Sequence, residues 1–176
     1  MSPGTYNFSD MKALKRVINN AEICRIGMVD HGQPYVIPIC FGYDGKDIYI
    51  HSSPEGKKEN ILLNNPKVCL EFEEEKQLVP EKQPCDWTYS YSTVLGFGSA
   101  SLVKGRREKI YGLEQIAKHY KGRLSNTSSD TSLDNLDLES HKQSNNYSRG
   151  LAKEAVDAAI VFKIVLTELT GKTNTP

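Results

Sequence analysis

The sequence predicts an α+β fold in which about six mainly antiparallel strands form a β-barrel with peripheral helices. The first observation behind this prediction is that β-prone segments follow one another through hairpin turn signals, which favours antiparallel pairing. The second is that neither the glycine fingerprint of a dinucleotide-binding fold nor a Walker loop is present. A doubly wound parallel sheet is therefore not expected.

Each predicted element has its own signal. Ser9 or Asp10 can cap a first helix, after which apolar residues recur at helical spacing as far as Ala21. Further helices are predicted at residues 55–63 and 106–120, and a polar loop is predicted at residues 76–86. The six strands are predicted at residues 23–30, 34–43, 47–52, 67–75, 87–103 and 158–169.

The chain has 176 residues, which predicts a single domain spanning residues 1–176. One segment inside it differs in composition. Residues 125–148 are rich in Ser, Asn and Asp and contain few large apolar side chains. Such a segment cannot bury enough surface to offset the entropy lost on ordering, so we expect a polar, mobile insertion.

Charge and cysteine usage exclude several classes of protein. Lys plus Arg and Asp plus Glu both number 22, so there is no global field that would attract nucleic acid or an anionic membrane. No apolar run approaches the roughly 18 residues of a membrane span, and the N-terminus lacks the apolar core of a signal peptide. The four cysteines are scattered, which indicates reduced thiols rather than disulfides or a metal site. We expect a cytoplasmic protein.

The most informative stretch runs from His51 to Asn60, where a predicted strand leads into a predicted helix. A helix start offers free backbone N–H groups and the positive end of the helix dipole. Lys57 and Lys58 add positive charge, and His51 and Ser52 add donors. These groups are the ingredients of a phosphate-binding site. The alternative is a solvated helix start with ordinary surface lysines.

Two further segments carry weaker signals. Pro38 interrupts a predicted strand and removes a ladder donor, so it should lie at an edge, where main-chain groups are free to face a flat heterocycle. The alternative is an edge strand protected against aggregation. The segment Cys85-Asp86-Trp87 leads into Tyr89 and Tyr91. It could pack on a ring system or complete a site across a subunit interface, or simply contribute core and interface packing.

Taken in order, these segments resemble the pyridoxamine 5′-phosphate oxidase-like FMN-binding split barrels, and most closely the branch of nitroimidazole-resistance (Nim) proteins. The matching stretches are ICRIGMVDHGQPYVIPICFGYDGKDIYIHSSPEGKKENILLNNPKVCLEFE, YSTVLGFGSASLV and the closing TELTGK. They cover most of residues 9–122 and 151–172, and the insertion lies outside them.

The resemblance implies a homodimer with FMN at the subunit interface, although an open interface could also admit FAD. The residues that match the family's flavin strand are Val36, Ile37, Pro38 and Ile39. The residues that match its phosphate-binding turn are His51, Ser52 and Lys57, with Lys58 and Asn60 nearby. Ser92 matches a position at which the second subunit approaches the flavin.

The resemblance also implies a function, with departures. The oxidase proper has an arginine-rich flavin strand, whereas this chain has Pro38-Ile39-Cys40 there, so we do not expect vitamin B6 oxidation. The Nim-like branch implies transfer of electrons from the flavin to a small-molecule acceptor such as a nitroaromatic compound. The sequence assigns no catalytic residue and no metal ligand. Two alternatives stay open: a non-catalytic flavin-binding or sensing protein, and a haem-binding split barrel with a histidine ligand.

Overall fold

A computed structural model of the protein describes residues 4–124 and 153–175. The predicted insertion at residues 125–148 lies outside these described residues. The helices are α1 (Met11–Asn20), α2 (Lys57–Asn64), α3 (Arg106–Leu124) and α4 (Lys153–Ala158), with a 3-10 turn at Pro84–Asp86. The strands are β1 (Gly4–Phe8), β2 (Cys24–Asp30), β3 (Gln33–Ile39), β4 (Phe41–Tyr43), β5 (Asp47–Ser52), β6 (Lys67–Val79), β7 (Thr88–Leu102) and β8 (Ile160–Thr175).

The strands form one antiparallel sheet that curls on itself. Its order is β3-β2-β6-β7-β8-β5-β4, with β1 paired to the far end of β8. β3 and β4 stand at opposite ends of this order, yet only Cys40 separates them along the chain. The sheet must therefore roll up until its two edges come together at Cys40. We call the gap between these edges, which β3 and β4 border, the split.

The α+β class and the antiparallel sheet are confirmed, but the prediction of six strands is wrong, because the described residues contain eight. β1 was not among the predicted strands, because two aromatic residues that alternate with polar ones in GTYNF are a weak strand signal. The predicted strand at residues 34–43 is two strands, since the chain leaves one sheet edge at Cys40 and enters the other. β6 also continues to Val79, into part of the predicted loop.

The hairpin that joins β2 to β3 borders the split. Its two-residue loop has positive φ at both positions, 47° at His31 and 86° at Gly32. These angles are those of a type I′ turn, whose twist matches that of the flanking strands. β3 pairs only with β2, so Pro38 lies on an edge strand, as its missing N–H predicts.

Helix α1 closes one side of the core. Asp10 caps it, because its carboxylate accepts a hydrogen bond from the Ala13 amide at 2.8 Å. Leu14, Val17 and Ile18 then turn one face towards the sheet and are completely or almost completely buried. Burial of side chains of this size stabilises the fold by about 1.5–3 kcal/mol each.

Helix α3 packs on β4 and β5 at close range. A Cβ atom at Gly112 would lie 2.8 Å from Cδ1 of Tyr49, and one at Gly42 would lie 2.8 Å from Cβ of Gln115. The two glycines allow the helix to approach the strands this closely. Across residues 4–124 and 153–175, no helix combines the length and the apolar composition required to span a bilayer.

Candidate functional site

The split brings together groups that are distant in sequence. The β4–β5 register pairs Phe41 with Ile50, so one position further on Cys40 stands opposite His51. β5 ends at Ser52, and α2 begins five residues later at Lys57. The start of α2 therefore follows β5, the neighbour of the edge strand β4 that borders the split.

Lys58 ties the start of α2 to β5. It is half-buried, and its Nζ donates a hydrogen bond of 2.6 Å to the carbonyl oxygen of His51. Burial lowers the pKa of Lys58, and the charge of the nearby Cys40 acts in the opposite direction. Although His51 as a residue is exposed, desolvation of its ring and the charge of Lys58 lower the pKa of His51. The hydrogen bond to His51 thus holds the amino group of Lys58 beside β5, while burial disfavours its charge.

Lys57 reaches the other side of the split. Its Nζ lies 3.5 Å from Oδ2 of Asp30, at the start of the β2–β3 turn. The same ammonium lies 4.7 Å from the ring centroid of Tyr35, within cation–π range. Consecutive lysines therefore contact opposite sides of the split, Lys57 at the β2–β3 hairpin and Lys58 at β5.

The first turn of α2 has no side-chain cap. Gly56 is the N-cap and supplies no side-chain oxygen. The first amides of a helix have no partner within the helix, so those of α2 are oriented to receive an acceptor from outside. Just before them, Glu55 has φ of 59°, and its amide donates to Oε2 of Glu59 at 2.7 Å. The amide at residue 55 is thus already engaged.

The other residues predicted in the phosphate-binding turn have local partners. Ser52 is buried, and its hydroxyl donates to the carbonyl oxygen of Ser53 at 3.3 Å. Asn60 is exposed on α2. Its main-chain N–H donates to the carbonyl oxygen of Gly56, and its main-chain carbonyl oxygen accepts from the side chain of Asn64. Within the predicted group, Lys58 therefore contacts His51, whereas Lys57 turns towards the β2–β3 hairpin.

The predicted flavin strand is β3. Its side chains alternate: Val36, which is 62% exposed, and Pro38 face outwards, whereas Ile37 and Ile39 are more buried and contact the core. One edge of β3 has no neighbouring strand in the sheet. Main-chain groups along that edge are thus available beside the start of α2.

Ser92 lies elsewhere. It is buried on β7, where its hydroxyl is 3.2 Å from that of Thr173 on β8. His51 pairs with Val161 on β8, whereas Ser92 pairs with Thr173. These two β8 positions are about 40 Å apart along the strand, at ~3.3 Å per residue. Ser92 and His51 therefore lie towards opposite ends of β8.

The segment around Trp87 forms the end of the β6–β7 hairpin. Trp87 and Tyr89 are 48% and 52% exposed, so neither is a core residue of this chain. The indole Nε1 of Trp87 donates to the carbonyl oxygen of Glu81 at 2.8 Å, which fastens the hairpin end to itself. This hairpin presents aromatic surface to solvent.

Four residues of the site were not among those predicted from the sequence to bind the cofactor. Asp30 and Tyr35 contact Lys57, Cys40 stands opposite His51, and Gly56 leaves the start of α2 without a side-chain cap. Only the glycine had a local signal, since it immediately precedes the helix. The other three are brought into the site by the curl of the sheet.

Comparisons with known proteins identify the family and the fold. The sequence model of the pyridoxamine 5′-phosphate oxidase family matches residues 10–173. The structure of a "putative 5-nitroimidazole antibiotic resistance protein" from Bacteroides thetaiotaomicron is 27% identical, with a TM-score of 0.71 over 98% of this chain and 89% of that chain. An uncharacterized protein of Rhizobium meliloti is 33% identical over 58 residues, which are 33% of this chain and 38% of that protein.

More distant structures share the fold. The flavocytochrome Anf3 from Azotobacter vinelandii is 18% identical, with a TM-score of 0.71 over 97% of this chain and 70% of that chain. The FAD and heme binding protein from Mycobacterium smegmatis is 13% identical, with a TM-score of 0.71 over 97% of this chain and 74% of that chain. Since the family's sequence model spans nearly the whole chain, the resemblance is confirmed, and the protein belongs to the pyridoxamine 5′-phosphate oxidase family.

Proposed function

We propose that this protein binds a flavin, FMN in the first instance, with the flavin phosphate at the start of α2. One observation carries the proposal: Lys57 and Lys58 border an uncapped helix start and approach it from opposite sides of the split. A phosphate carries a charge of about −2 and several acceptor oxygens, which complement two ammonium groups and free amides. FAD is the alternative cofactor, since its first phosphate fits the same donors.

The flavin ring system would lie along β3. An isoalloxazine is flat and carries both N–H and C=O groups, which suit the free main-chain edge of this strand. The outward side chains of Val36 and Pro38 offer apolar contact beside that edge. The chain's own contribution would be to bind, orient and shield the ring.

A bound flavin supplies redox chemistry, so the finer proposal is an oxidoreductase that reduces a small acceptor such as a nitroaromatic compound. The support is the 27% identical Bacteroides structure, whose name refers to 5-nitroimidazole resistance. The FAD- and haem-binding proteins of the same fold support a flavin more broadly and keep haem as the alternative.

We further propose that the working form is a homodimer. Four neighbouring strands place Val36, Gly27, Cys69 and Phe97 side by side in one row on the outer face of the sheet. Val36 and Phe97 are 62% and 44% exposed, and an exposed apolar row of this kind favours a protein interface. A second copy would cover the row and could bring its Ser92 to the flavin.

Flavin titration followed by fluorescence quenching tests the site. We expect wild-type protein to bind FMN and Lys57→Ala to bind it about tenfold more weakly, since a charge-assisted contact to the phosphate is lost. Lys12→Ala, which removes an exposed lysine of α1, is the matched control and should bind like the wild type. Unchanged binding by Lys57→Ala would contradict the assignment of the phosphate to α2.

The absorption spectrum of the purified protein, followed by mass identification of the released cofactor, tests cofactor identity. Flavin bands with a mass of FMN support the proposal, a mass of FAD supports the larger flavin, and a Soret band supports haem. Anaerobic mixing with a reduced nicotinamide and a nitroimidazole then tests catalysis. Loss of the nitro compound supports an enzyme, whereas no change in flavin or substrate supports a non-catalytic flavin-binding protein.

The oligomeric state has its own test. Sedimentation should show a dimer for the wild type and a monomer for Phe97→Lys, since a charge would be buried in the apolar row. Glu168 pairs with Phe97 in the register and is exposed, so Glu168→Lys places the same charge beside the row as a control. A wild-type monomer at micromolar concentration would refute the dimer.

A further inference from the structure

We propose that Asp30 is a positioning residue that holds Lys57 in the flavin-free protein and competes with the flavin phosphate for it. This inference rests on the proposed function, because it concerns the same phosphate site. It adds a regulating carboxylate that opposes binding of the anion.

The contact between the two side chains is short enough to orient Lys57 and weak enough to be exchanged. The distance from Nζ to Oδ2 of Asp30 is 3.5 Å, longer than a strong charge-assisted hydrogen bond of about 2.7–2.9 Å. The Lys57 side chain is 56% exposed and that of Asp30 is 31% exposed, so water and salt screen the pair. A phosphate, with more charge and more acceptor oxygens, can displace the carboxylate.

The aromatic ring supplies a second hold on Lys57 that does not compete with an anion. The ammonium lies 4.7 Å from the centroid of Tyr35, and a ring face attracts a cation without supplying an acceptor that a phosphate must replace. Lys57 can therefore keep its place beside Tyr35 while its hydrogen-bond donors pass from Asp30 to the phosphate.

Lys58 is arranged differently. It has no carboxylate contact among the interactions of the described residues; its Nζ donates instead to the neutral carbonyl oxygen of His51 at 2.6 Å. A carbonyl does not repel an incoming anion as a carboxylate does. Of the two lysines at the start of α2, only Lys57 must be released from a carboxylate when a phosphate binds.

Asp30 has a second neighbour on its other oxygen. Nε2 of His31 lies 4.0 Å from Oδ1 of Asp30, and the His31 side chain is 91% exposed. Lys57 and His31 therefore lie with Asp30 on one short stretch of surface between the β2–β3 turn and α2. The contact with Lys57 is the shorter of the two, so Lys57 is the group through which Asp30 acts.

Paired titrations with FMN and riboflavin test the inference, because riboflavin has the ring but no phosphate. We expect Asp30→Asn to bind FMN about two- to fivefold more tightly, the scale of a partly exposed ion pair, and riboflavin with unchanged affinity. Glu22→Gln removes the same charge near the opposite end of β2, about 20 Å away, and should change neither affinity.

A double-mutant cycle separates positioning of Lys57 from simple repulsion of the phosphate. In a Lys57→Ala background, Asp30→Asn should no longer tighten FMN binding, because Asp30 acts through Lys57. Asp30→Ser is the second variant, in case the side-chain amide of Asp30→Asn disturbs the β2–β3 turn. Melting temperatures equal to that of the wild type show that the variants fold. An unchanged or weaker FMN affinity for both Asp30 variants overturns the inference alone. Failure of the wild type to bind FMN and riboflavin overturns the proposed flavin site with it.

Discussion

The close packing of α3 on β4 makes Gly42→Ala a strong perturbation of the fold. A Cβ at Gly42 would lie 2.8 Å from Cβ of Gln115 and still closer to the backbone nitrogen of Ile116 and the carbonyl carbon of Gln115. Ordinary contacts of a Cβ begin near 3.4 Å. Since the nearest atoms are backbone, no side-chain rotation relieves the overlap, and α3 must move away from β4 by roughly 1 Å.

We expect this displacement to cost about 3 kcal/mol of unfolding free energy, at the upper end of the usual range for overpacking. For a chain of this length that corresponds to a fall in Tm of about 6–12 °C. Thermal unfolding followed by circular dichroism measures the change directly, provided that it is reversible.

Gly105→Ala is the matched control, because a Cβ there would meet nothing within 4 Å. Its Tm should stay within about 2 °C of the wild type, or rise slightly as the unfolded chain loses freedom. Equal Tm values for Gly42→Ala and Gly105→Ala would refute the close approach of α3 to β4.

Three further predictions concern single groups. Asp10→Ala should lower the unfolding free energy by about 1 kcal/mol, measured by denaturant titration, because α1 loses its cap; no change would exclude the cap. A thiol reagent, followed by mass mapping, should label the exposed Cys40 and Cys85 in the native protein. It should not label Cys24, because burial raises the pKa of its thiol. Bound FMN should protect Cys40 alone. The fold lowers the pKa of His51, so the unfolded chain takes up a proton first and stability should fall as the pH drops through 6.5, the pKa of His51 in the unfolded chain. The Tm of His51→Gln should therefore fall less than that of the wild type between about pH 7.5 and 5.5. Equal falls in Tm would contradict this.

Those parts of the fold that depend on local periodicity could be predicted from the sequence. α1, with Leu14, Val17 and Ile18 on one face, and the hairpin turn at His31-Gly32 are examples. β1 was harder to predict, because only Tyr6 and Phe8 alternate with polar residues there, and the end of β8 that pairs with it is mostly polar. Its pairing also depends on main-chain hydrogen bonds, which leave no pattern in the side chains.

The candidate site divides in the same way. His51, Lys57 and Lys58 could be chosen from the sequence, because a strand that runs into a helix predicts where donors converge. Asp30 and Tyr35 could not, since their contact with Lys57 joins residues more than twenty positions apart across the split. Such contacts follow from the sheet order, which a single sequence does not contain.

The topology bears on the position of the proposed phosphate site. Because Cys40 alone links the two edges of the sheet, β5 beside β4 is brought close to β3. The helix that starts just after β5 then lies between β5 and the β2–β3 hairpin, since its first two lysines reach Asp30 on one side and His51 on the other. The opposite end of β8 carries Ser92, too far along the strand to join the same group within one chain. If a flavin is held by the start of α2 and approached by Ser92, that Ser92 must come from a second subunit. We therefore expect that a variant that dissociates the proposed dimer also loses flavin while keeping Lys57 and Lys58 in place.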